Sequence, residues 1–205
     1  MITIASVFLA DPPELWADLG FVVDDGSCWV SGIRHRLGAD GRGIESWALR
    51  GLDVDDVDGL VTSVSDEPPH GTPAHPNGVI TLDHLVVTTP DIDRTTKAIE
   101  AIGLDLRRTR ETDQYGPPFR QTFFKLGEVV LEVIGPVEPR NDKPARFFGL
   151  AFTVADLDAT ARFLGDRLRP AKDAVQPGRR IATLDKAAGS TVAIAFMSPG
   201  TAAVG

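Results

Sequence analysis

Two side chains in the middle of the sequence, His84 and Glu132, are of types that do chemistry together. Glu132 lies in the apolar run 129–134, whose β-branched residues predict a strand. Side chains alternate between the two faces of a strand, so Glu132 shares a face with Val130 and Ile134. A carboxylate that is buried between apolar neighbours needs a metal, a histidine or an arginine as its partner. His84 is the obvious candidate.

His84 lies in a second predicted strand, 82–89, which is also rich in β-branched residues. Alternation along this strand places Leu82, His84 and Val86 on one face. We therefore expect His84 and Glu132 to lie on adjacent strands, with both side chains facing one cavity.

The strands that carry this pair belong to a segment that occurs twice. Residues 80–136 and 147–199 each read as a strand that ends in an acidic turn, an amphipathic helix, polar strands and an apolar run that ends at a proline. A repeat of this length is a unit that cannot bury its hydrophobic face alone. We expect two βαβββ units that are related by a pseudo-two-fold axis, with a cavity between them.

The second copy lacks the two polar side chains of the first. Aligning the acidic turns places Gly149 opposite His84, and aligning the terminal prolines places Ala195 opposite Glu132. Neither glycine nor alanine can ligate a metal through its side chain. Two protein ligands rarely make a stable catalytic metal site, since three are usual.

The N-terminal segment follows the same order of elements in a weaker form. Residues 2–10 read as a strand, and Asp11 followed by two prolines predicts a helix that begins with a capping acid. Candidate strands follow, the last of them at 43–52, so strand, helix and three strands occur in turn. This order predicts a degenerate third module, and we assign residues 1–64 to it.

A linker joins this segment to the paired repeats. Residues 65–78 are rich in Pro, Gly and His, and proline blocks both a strand ladder and a helix. Its two histidines, His70 and His75, lack the acid or cysteine spacing of a metal site, so we expect them to be solvated. The repeats then form a second domain at 79–199, and the predicted fold class is α+β.

The composition of the chain argues against several classes of partner. The 205 residues carry a formal net charge of −8 with a pI of about 4.9, which disfavours nucleic acid and anionic membranes. No run approaches the length of a membrane span, and the N-terminal apolar run lacks the basic residues of a signal peptide. The single cysteine, Cys28, fits a reducing compartment. We expect a cytoplasmic protein.

The first copy resembles a known family. The stretches LDHLVVTTPD, IGLDLRRTR and FRQTFFKLGEVVLEVIGP are similar to a module of the vicinal oxygen chelate superfamily, which includes glyoxalase I, extradiol dioxygenases and the bleomycin and fosfomycin resistance proteins. The resemblance covers residues 79–199. It implies paired βαβββ modules that form a half-open, curved barrel around a cavity for a small organic molecule.

The resemblance also implies roles for individual residues. In this family a divalent metal is typically held on the first and last strands of the modules, which makes His84 and Glu132 ligand positions. Imidazole and carboxylate suit Zn, Mn, Fe or Ni, and Glu132 would double as a catalytic base. Five further residues are expected to bind the ligand, with the arginines suited to clamp a carboxylate: Tyr115, Arg120, Gln121, Phe123 and Arg180.

Two functions are consistent with the loss of polar residues in the second copy, and the sequence leaves both open. In the first, His84 and Glu132 pair in a metal-free pocket, and the protein binds a small molecule, as the antibiotic-sequestering members of the family do. In the second, a further residue completes a metal site in a divalent-metal-dependent lyase, isomerase or dioxygenase that acts on vicinal oxygens. A homodimer in which residues 79–136 face their own copy is one route to such a site.

Overall fold

The computed structural model describes residues 1–113 and 117–200, which fold into two open sheets with three α-helices. The N-terminal elements are β1 Thr3–Leu9, α1 Pro13–Asp18, β2 Ser27–Val30, β3 Ile33–Arg36, β4 Ile44–Arg50, β5 Asp56–Val57 and β6 Leu60–Val64. The C-terminal elements are β7 Val79–Thr88, α2 Ile92–Ala101, β8 Leu106–Thr112, β9 Phe119–Leu126, β10 Val129–Pro136, β11 Arg146–Val154, α3 Leu157–Leu164, β12 Lys172–Asp173, β13 Arg180–Thr183 and β14 Ala193–Met197.

The eight-stranded sheet contains the two copies of the repeat side by side. Its strand order is β12-β13-β14-β11-β7-β10-β9-β8. The first strands of the two copies, β7 and β11, are antiparallel neighbours at the centre, and each is parallel to the last strand of its own copy, β10 or β14. The copies are therefore related by a pseudo-two-fold axis between β7 and β11, and the predicted pair of βαβββ modules is confirmed.

The N-terminal sheet repeats this arrangement of parallel and antiparallel strand pairs, with shorter strands. Its order is β2-β3-β1-β4-β6-β5, with β1 parallel to β3 and antiparallel to β4, and β4 parallel to β6. The degenerate N-terminal module is thus β1-α1-β2-β3. The strand expected to complete it, β4, instead pairs with β1 as β11 pairs with β7, and so begins a further unit. The order of elements along a sequence does not reveal which strands pair.

Acidic caps begin α2 and α3, as the two acidic turns predict. The carboxylate of Asp91 accepts a hydrogen bond from a backbone N–H three residues on, at 3.0 Å. The carboxylate of Asp156 accepts from backbone N–H groups two and three residues on, at 2.9 and 3.0 Å. Each cap satisfies N–H groups that the first turn of a helix leaves without partners.

Asp11 does not cap α1, because Pro12 is the N-cap residue and makes no side-chain cap. The carboxylate of Asp11 is fully buried and accepts hydrogen bonds from the Trp16 indole at 3.2 Å, from the Ser190 hydroxyl at 2.5 Å and from the Thr191 backbone N–H at 2.7 Å. Asp11 therefore ties the N-terminal helix to the second copy of the repeat.

The linker histidine His75 is packed rather than solvated. It is only 6% exposed; its Nδ1 accepts a hydrogen bond from the Val22 backbone N–H at 2.9 Å, and its Nε2 lies 3.2 Å from the Trp29 carbonyl oxygen. The expectation of a solvated His75 is wrong, because its ring satisfies backbone groups of the N-terminal unit. His70 is exposed, and its ring stacks on Trp29 with centroids 4.5 Å apart.

Another linker residue, Glu67, lies against the N-terminal sheet. Its carboxylate pairs with Arg34 of β3 at 2.9 Å and with Arg36 of the same strand at 3.0 Å. The Arg50 guanidinium donates a hydrogen bond to the backbone carbonyl of Glu67 at 2.6 Å. These contacts fix the linker to the face of the sheet that carries both arginines.

One cluster of buried apolar side chains joins the two sheets. At its centre, the Phe152 ring of β11 lies 6.2 Å from Trp16 and 5.3 Å from Phe21, measured between ring centroids. Burial of rings of this size contributes strongly to folding, so the two halves of the chain stabilise each other. Within residues 1–113 and 117–200, the helices are too short or too polar to cross a membrane.

Candidate functional site

A cavity of about 460 Å³ lies on the face of the eight-stranded sheet that carries Glu132. Leu131 and Val133 of β10 are buried in the core, whereas Val130 and Glu132, which alternate with them, line the cavity. The opposite wall comes from residues 172–176 and from β13 and β14 of the second copy. The cavity therefore lies between the two modules.

His84 and Glu132 are brought together by the pairing of β7 with β10. These parallel strands place His84 level with Val130, and Glu132 level with Val86. The imidazole Nε2 lies 3.5 Å from Oε2 of Glu132, and both side chains line the cavity. The predicted adjacency of the two groups is confirmed. Since 3.5 Å exceeds the length of an ordinary N–H···O hydrogen bond, both atoms stay open to a ligand.

A β-bulge directs the preceding side chain, Asp83, into the same cavity. The pairing of β7 with β11 joins His84 to Ala151 and then Leu82 to Phe152, which leaves Asp83 as the extra residue. Asp83 and His84 therefore both line the cavity, while Leu82 packs in the core. The expectation that Leu82 shares a face with His84 is wrong, because strict alternation fails at a bulge.

Asp83 orients the His84 ring and is held in turn by the second module. Its Oδ2 lies 2.9 Å from Nδ1 of His84, and its Oδ1 accepts hydrogen bonds from Arg179 at 2.7 Å and from the Thr153 hydroxyl at 3.0 Å. Burial would raise the pKa of Asp83, but hydrogen bonds from His84 and Arg179, together with the charge of Arg179, lower it to about 2. Asp83 is therefore ionised at neutral pH, and its carboxylate accepts a hydrogen bond from the Nδ1–H group of His84.

Glu132 is the second carboxylate of the cavity and is 8% exposed. Its Oε1 accepts a hydrogen bond from the Gln121 amide at 2.5 Å, while its Oε2 faces His84. The site is thus an imidazole between two carboxylates, with Asp83 at one ring nitrogen and Glu132 at the other. Such an arrangement can accept hydrogen bonds or a proton from a ligand that lies beside Glu132.

Comparison with known proteins places this architecture among solved structures. A mutant of 4-hydroxymandelate synthase from Streptomyces coelicolor is similar over 99% of this chain and 94% of its own, with a TM-score of 0.64 and 14% sequence identity. The chain has the vicinal oxygen chelate fold. Methylmalonyl-CoA epimerase from Mycobacterium tuberculosis is also similar, over 60% of this chain and 91% of its own, with a TM-score of 0.49 and 22% identity. Neither a protein-family model nor a curated protein matches the sequence.

The second module of this vicinal oxygen chelate fold has no metal-ligating side chain at the positions that correspond to His84 and Glu132. The strand registers place Gly149 where the first module has His84, and Ala195 where it has Glu132. A β-carbon at Gly149 would collide with the backbone carbonyl of Ala193. A ligating side chain therefore does not fit at this position unless the backbone moves.

The residues that are present do not complete a catalytic metal site. Asp83 holds Nδ1 of His84, as an outer carboxylate does beside a metal-bound histidine, so His84 and Glu132 would supply two ligands. Catalytic ions usually have three protein ligands. In the part of the chain that the structure describes, no group of three or more His, Cys, Asp or Glu side chains is arranged to hold an ion. The donor set of this vicinal oxygen chelate cavity is one ligand short.

Only some of the residues that the sequence predicts to bind the ligand line the cavity. Gln121 and Phe123 line the cavity. Arg120 and Arg180 lie outside it. Arg120 forms an ion pair with Asp93 of α2 at 2.7 Å, and Arg180 forms one with Asp158 of α3 at 3.0 Å. Tyr115 falls outside the described residues. The two arginines are occupied by acidic helix residues and do not face the cavity.

Sequence reasoning missed three basic residues of the cavity, namely Arg108, Arg110 and Lys172. For the first two a signal was available, since residues two apart on a strand share a face. Asp83 was also missed, and for it no local signal exists, because only the pairing of β7 with β11 creates the bulge.

Proposed function

We propose that this chain binds a small organic acid in the cavity between its two modules, without a metal held by the protein. The observation that carries the proposal is a pair of cavity arginines, Arg108 and Arg110, on the same face of β8. Within the described ranges, neither forms an ion pair with an acidic residue, whereas Arg107 of β8 and Arg120 of β9 both do. An arginine fork matches a carboxylate with two parallel hydrogen bonds.

The middle of the cavity is apolar and comes from both modules. Phe123 and Val130 belong to the first module, and Ile181 and Met197 to the second. Apolar area that a ligand buries here contributes about 25 cal/mol per Å². The cavity of about 460 Å³ is within the range of small-molecule sites, so a compact aliphatic or aromatic body fits the apolar part.

The acidic end of the cavity determines the orientation of the ligand. Glu132 would repel a carboxylate and would accept a hydrogen bond from a hydroxyl, so the ligand's acid group belongs at Arg108 and Arg110. We infer an acid that carries a hydroxyl or another hydrogen-bond donor at its opposite end. His84 then contacts the same donor group, because its Nε2 lies 3.5 Å from Oε2 of Glu132.

A second candidate function is a metal-independent proton transfer with Glu132 as the base. The specific observation is that Gln121 fixes one oxygen of Glu132 while the other faces the cavity beside His84. A positioned carboxylate of this kind can remove an acidic proton from a bound ligand. A metal-dependent lyase, isomerase or dioxygenase is less well supported, because the donor set lacks a third ligand.

Isothermal titration calorimetry with matched probes tests the binding proposal. 4-Hydroxyphenylacetate and phenylacetate are the acids, and 4-hydroxyphenylacetamide and phenylacetamide are neutral controls of nearly the same shape. We expect the acids to bind more tightly than the amides, and Arg110→Gln to remove the difference. Arg107→Gln is the matched control, since Arg107 is 59% exposed and outside the cavity. Equal binding of acids and amides would contradict the proposal.

Hydrogen exchange of the ligand separates binding from proton transfer. Levulinate, a keto acid whose ketone lies at the end away from the carboxylate, is incubated with the protein in D2O, and loss of the protons next to the ketone is followed by NMR. Exchange that disappears in Glu132→Gln would support the enzyme, whereas binding without exchange supports the binding protein.

A further inference from the structure

A second cavity, of about 640 Å³, lies where the second module meets the N-terminal sheet. We call it the junction cleft; its walls are residues 42–44, the start of β11, and the segments 183–186 and 190–193. The junction cleft shares no lining residue with the cavity around Glu132. It is a separate place on the molecule, with its own chemistry.

One wall of the junction cleft is the pseudo-two-fold counterpart of the first-module wall of the first cavity. Phe148 is the extra residue of a bulge in β11, as Asp83 is the extra residue of a bulge in β7. Ala193 lines the cleft at the position that corresponds to Val130 in the first cavity. The second module therefore repeats this wall with different side chains, and residues 42–44 of the N-terminal part supply the other side of the cleft.

The junction cleft is rich in bases. Arg42, Arg146 and Lys186 line it, and within residues 1–113 and 117–200 none of them forms an ion pair shorter than 4.0 Å, although the charge of Lys186 acts on the neighbouring Asp185. A fourth base, Arg169, pairs with Asp185 at 3.0 Å. These bases are concentrated in one cleft, although the formal net charge of the whole chain is −8. A cleft lined by one sign of charge attracts ligands of the opposite sign.

An aromatic ring lies exposed beside these bases. Phe148 is 54% exposed because the bulge turns it away from the core. Its neighbour Phe147 packs on Trp47, with ring centroids 5.3 Å apart. The free face of Phe148 is therefore available to a planar apolar group.

Hydrogen bonds hold the two sides of the junction cleft together. The Gly43 backbone N–H donates to the Thr191 hydroxyl at 2.9 Å, and the Thr191 backbone N–H donates to the buried carboxylate of Asp11 at 2.7 Å. The backbone that carries Arg42 is thus fixed against the second module. A ligand that bridges the two sides needs little further ordering of the backbone.

We propose that the junction cleft binds a polyanionic small molecule that carries a planar group. Arg42, Arg146 and Lys186 come from three separate segments, so a ligand with several anionic oxygens engages more of them than a single carboxylate does. A diphosphate and a polycarboxylate share this chemistry. A planar ring attached to the anion would lie on Phe148.

Isothermal titration calorimetry with ADP, pyrophosphate and citrate tests this proposal on the full chain. We expect at least one of the anions to bind, with ADP tighter than pyrophosphate because of its ring. Pyrophosphate tighter than citrate identifies a phosphate site, and the reverse identifies a polycarboxylate site. Arg146→Gln and Lys186→Gln should each weaken binding about fivefold, and Phe148→Ser should weaken ADP but leave pyrophosphate unchanged.

Two control variants make the test specific. Arg162→Gln removes an exposed base from α3, and Arg107→Gln removes one from β8 that lines neither cavity; both should bind the probes as the wild type does. No binding of any probe, or an equal loss in either control, would overturn the junction cleft as an anion site. An affinity for ADP no higher than for pyrophosphate would overturn the role of Phe148. Because the two cavities share no lining residue, failure here leaves the proposal for the organic acid untouched.

Discussion

Replacing Asp83 by asparagine removes one negative charge and leaves the shape of the side chain almost unchanged. Arg179 lies 2.7 Å and His84 2.9 Å from this carboxylate, and the Asp83 side chain is 17% exposed. The fall of the pKa from 3.8 to about 2 corresponds to about 2 kcal/mol of folding free energy at neutral pH. Asp83→Asn also leaves the largely buried Arg179 without its anionic partner, so we expect a total loss of about 2 to 4 kcal/mol.

The direction of the pKa shift determines how this loss depends on pH. Because the pKa of Asp83 is lower in the folded than in the unfolded state, its contribution is present above the unfolded value of 3.8 and is lost as the pH falls through about 2. Urea unfolding of wild type and Asp83→Asn should therefore show the full difference in free energy at neutral pH. The difference should shrink as the pH is lowered from about 4 to about 2.

Asp105→Asn is the matched control, since the Asp105 side chain is 80% exposed and its contact with Arg107 is 3.8 Å long. It should change the free energy of unfolding by less than about 0.5 kcal/mol throughout. A difference between wild type and Asp83→Asn that stays constant as the pH falls, or no difference at neutral pH, would refute the account of Asp83 as a buried anion.

Three further predictions concern buried or ion-paired side chains of the N-terminal part of the chain. Asp11→Asn should lower the free energy of unfolding by about 2 to 3 kcal/mol, measured by urea unfolding, because a charged acceptor of hydrogen bonds is lost from a fully buried position. Glu67→Gln should cost about 1 kcal/mol and speed proteolysis within 65–78, since its pairs with Arg34 and Arg36 are partly exposed. Cys28 is 1% exposed and burial raises its pKa, so Ellman's reagent should react with it only after unfolding.

Much of the paired domain could be predicted because its signals are local. Alternating apolar residues predict the strands, and the acidic turns at 90–93 and 155–158 predict that α2 and α3 begin there, with Asp91 and Asp156 as the caps that the structure shows. The internal repeat then gives the pairing, because the second copy must lie beside the first to bury its apolar face. Alignment of the two copies also predicts Gly149 and Ala195 as the replacements for His84 and Glu132, and the strand registers support this assignment.

Features that depend on distant pairing could not be predicted in this way. The bulge at Asp83 exists because β11 skips one residue of β7, and nothing in the residues around Asp83 indicates it. The roles of Asp11 and His75 depend on partners far along the chain, such as Thr191 and Val22. The homodimer and the cytoplasmic location stay predictions. In this chain β7 pairs with β11, so residues 79–136 face the second copy rather than a partner subunit.

The metal content of the protein tests most directly whether the cavity between the two modules works without a metal held by the protein. The protein is purified without chelator or added metal, and Zn, Mn, Fe and Ni are measured per chain by elemental analysis, beside Glu132→Gln prepared in the same way. Because Gly149 and Ala195 supply no ligands, we expect much less than one equivalent of metal in both proteins. One equivalent per chain that disappears in Glu132→Gln would contradict it and would support the metal-dependent enzyme.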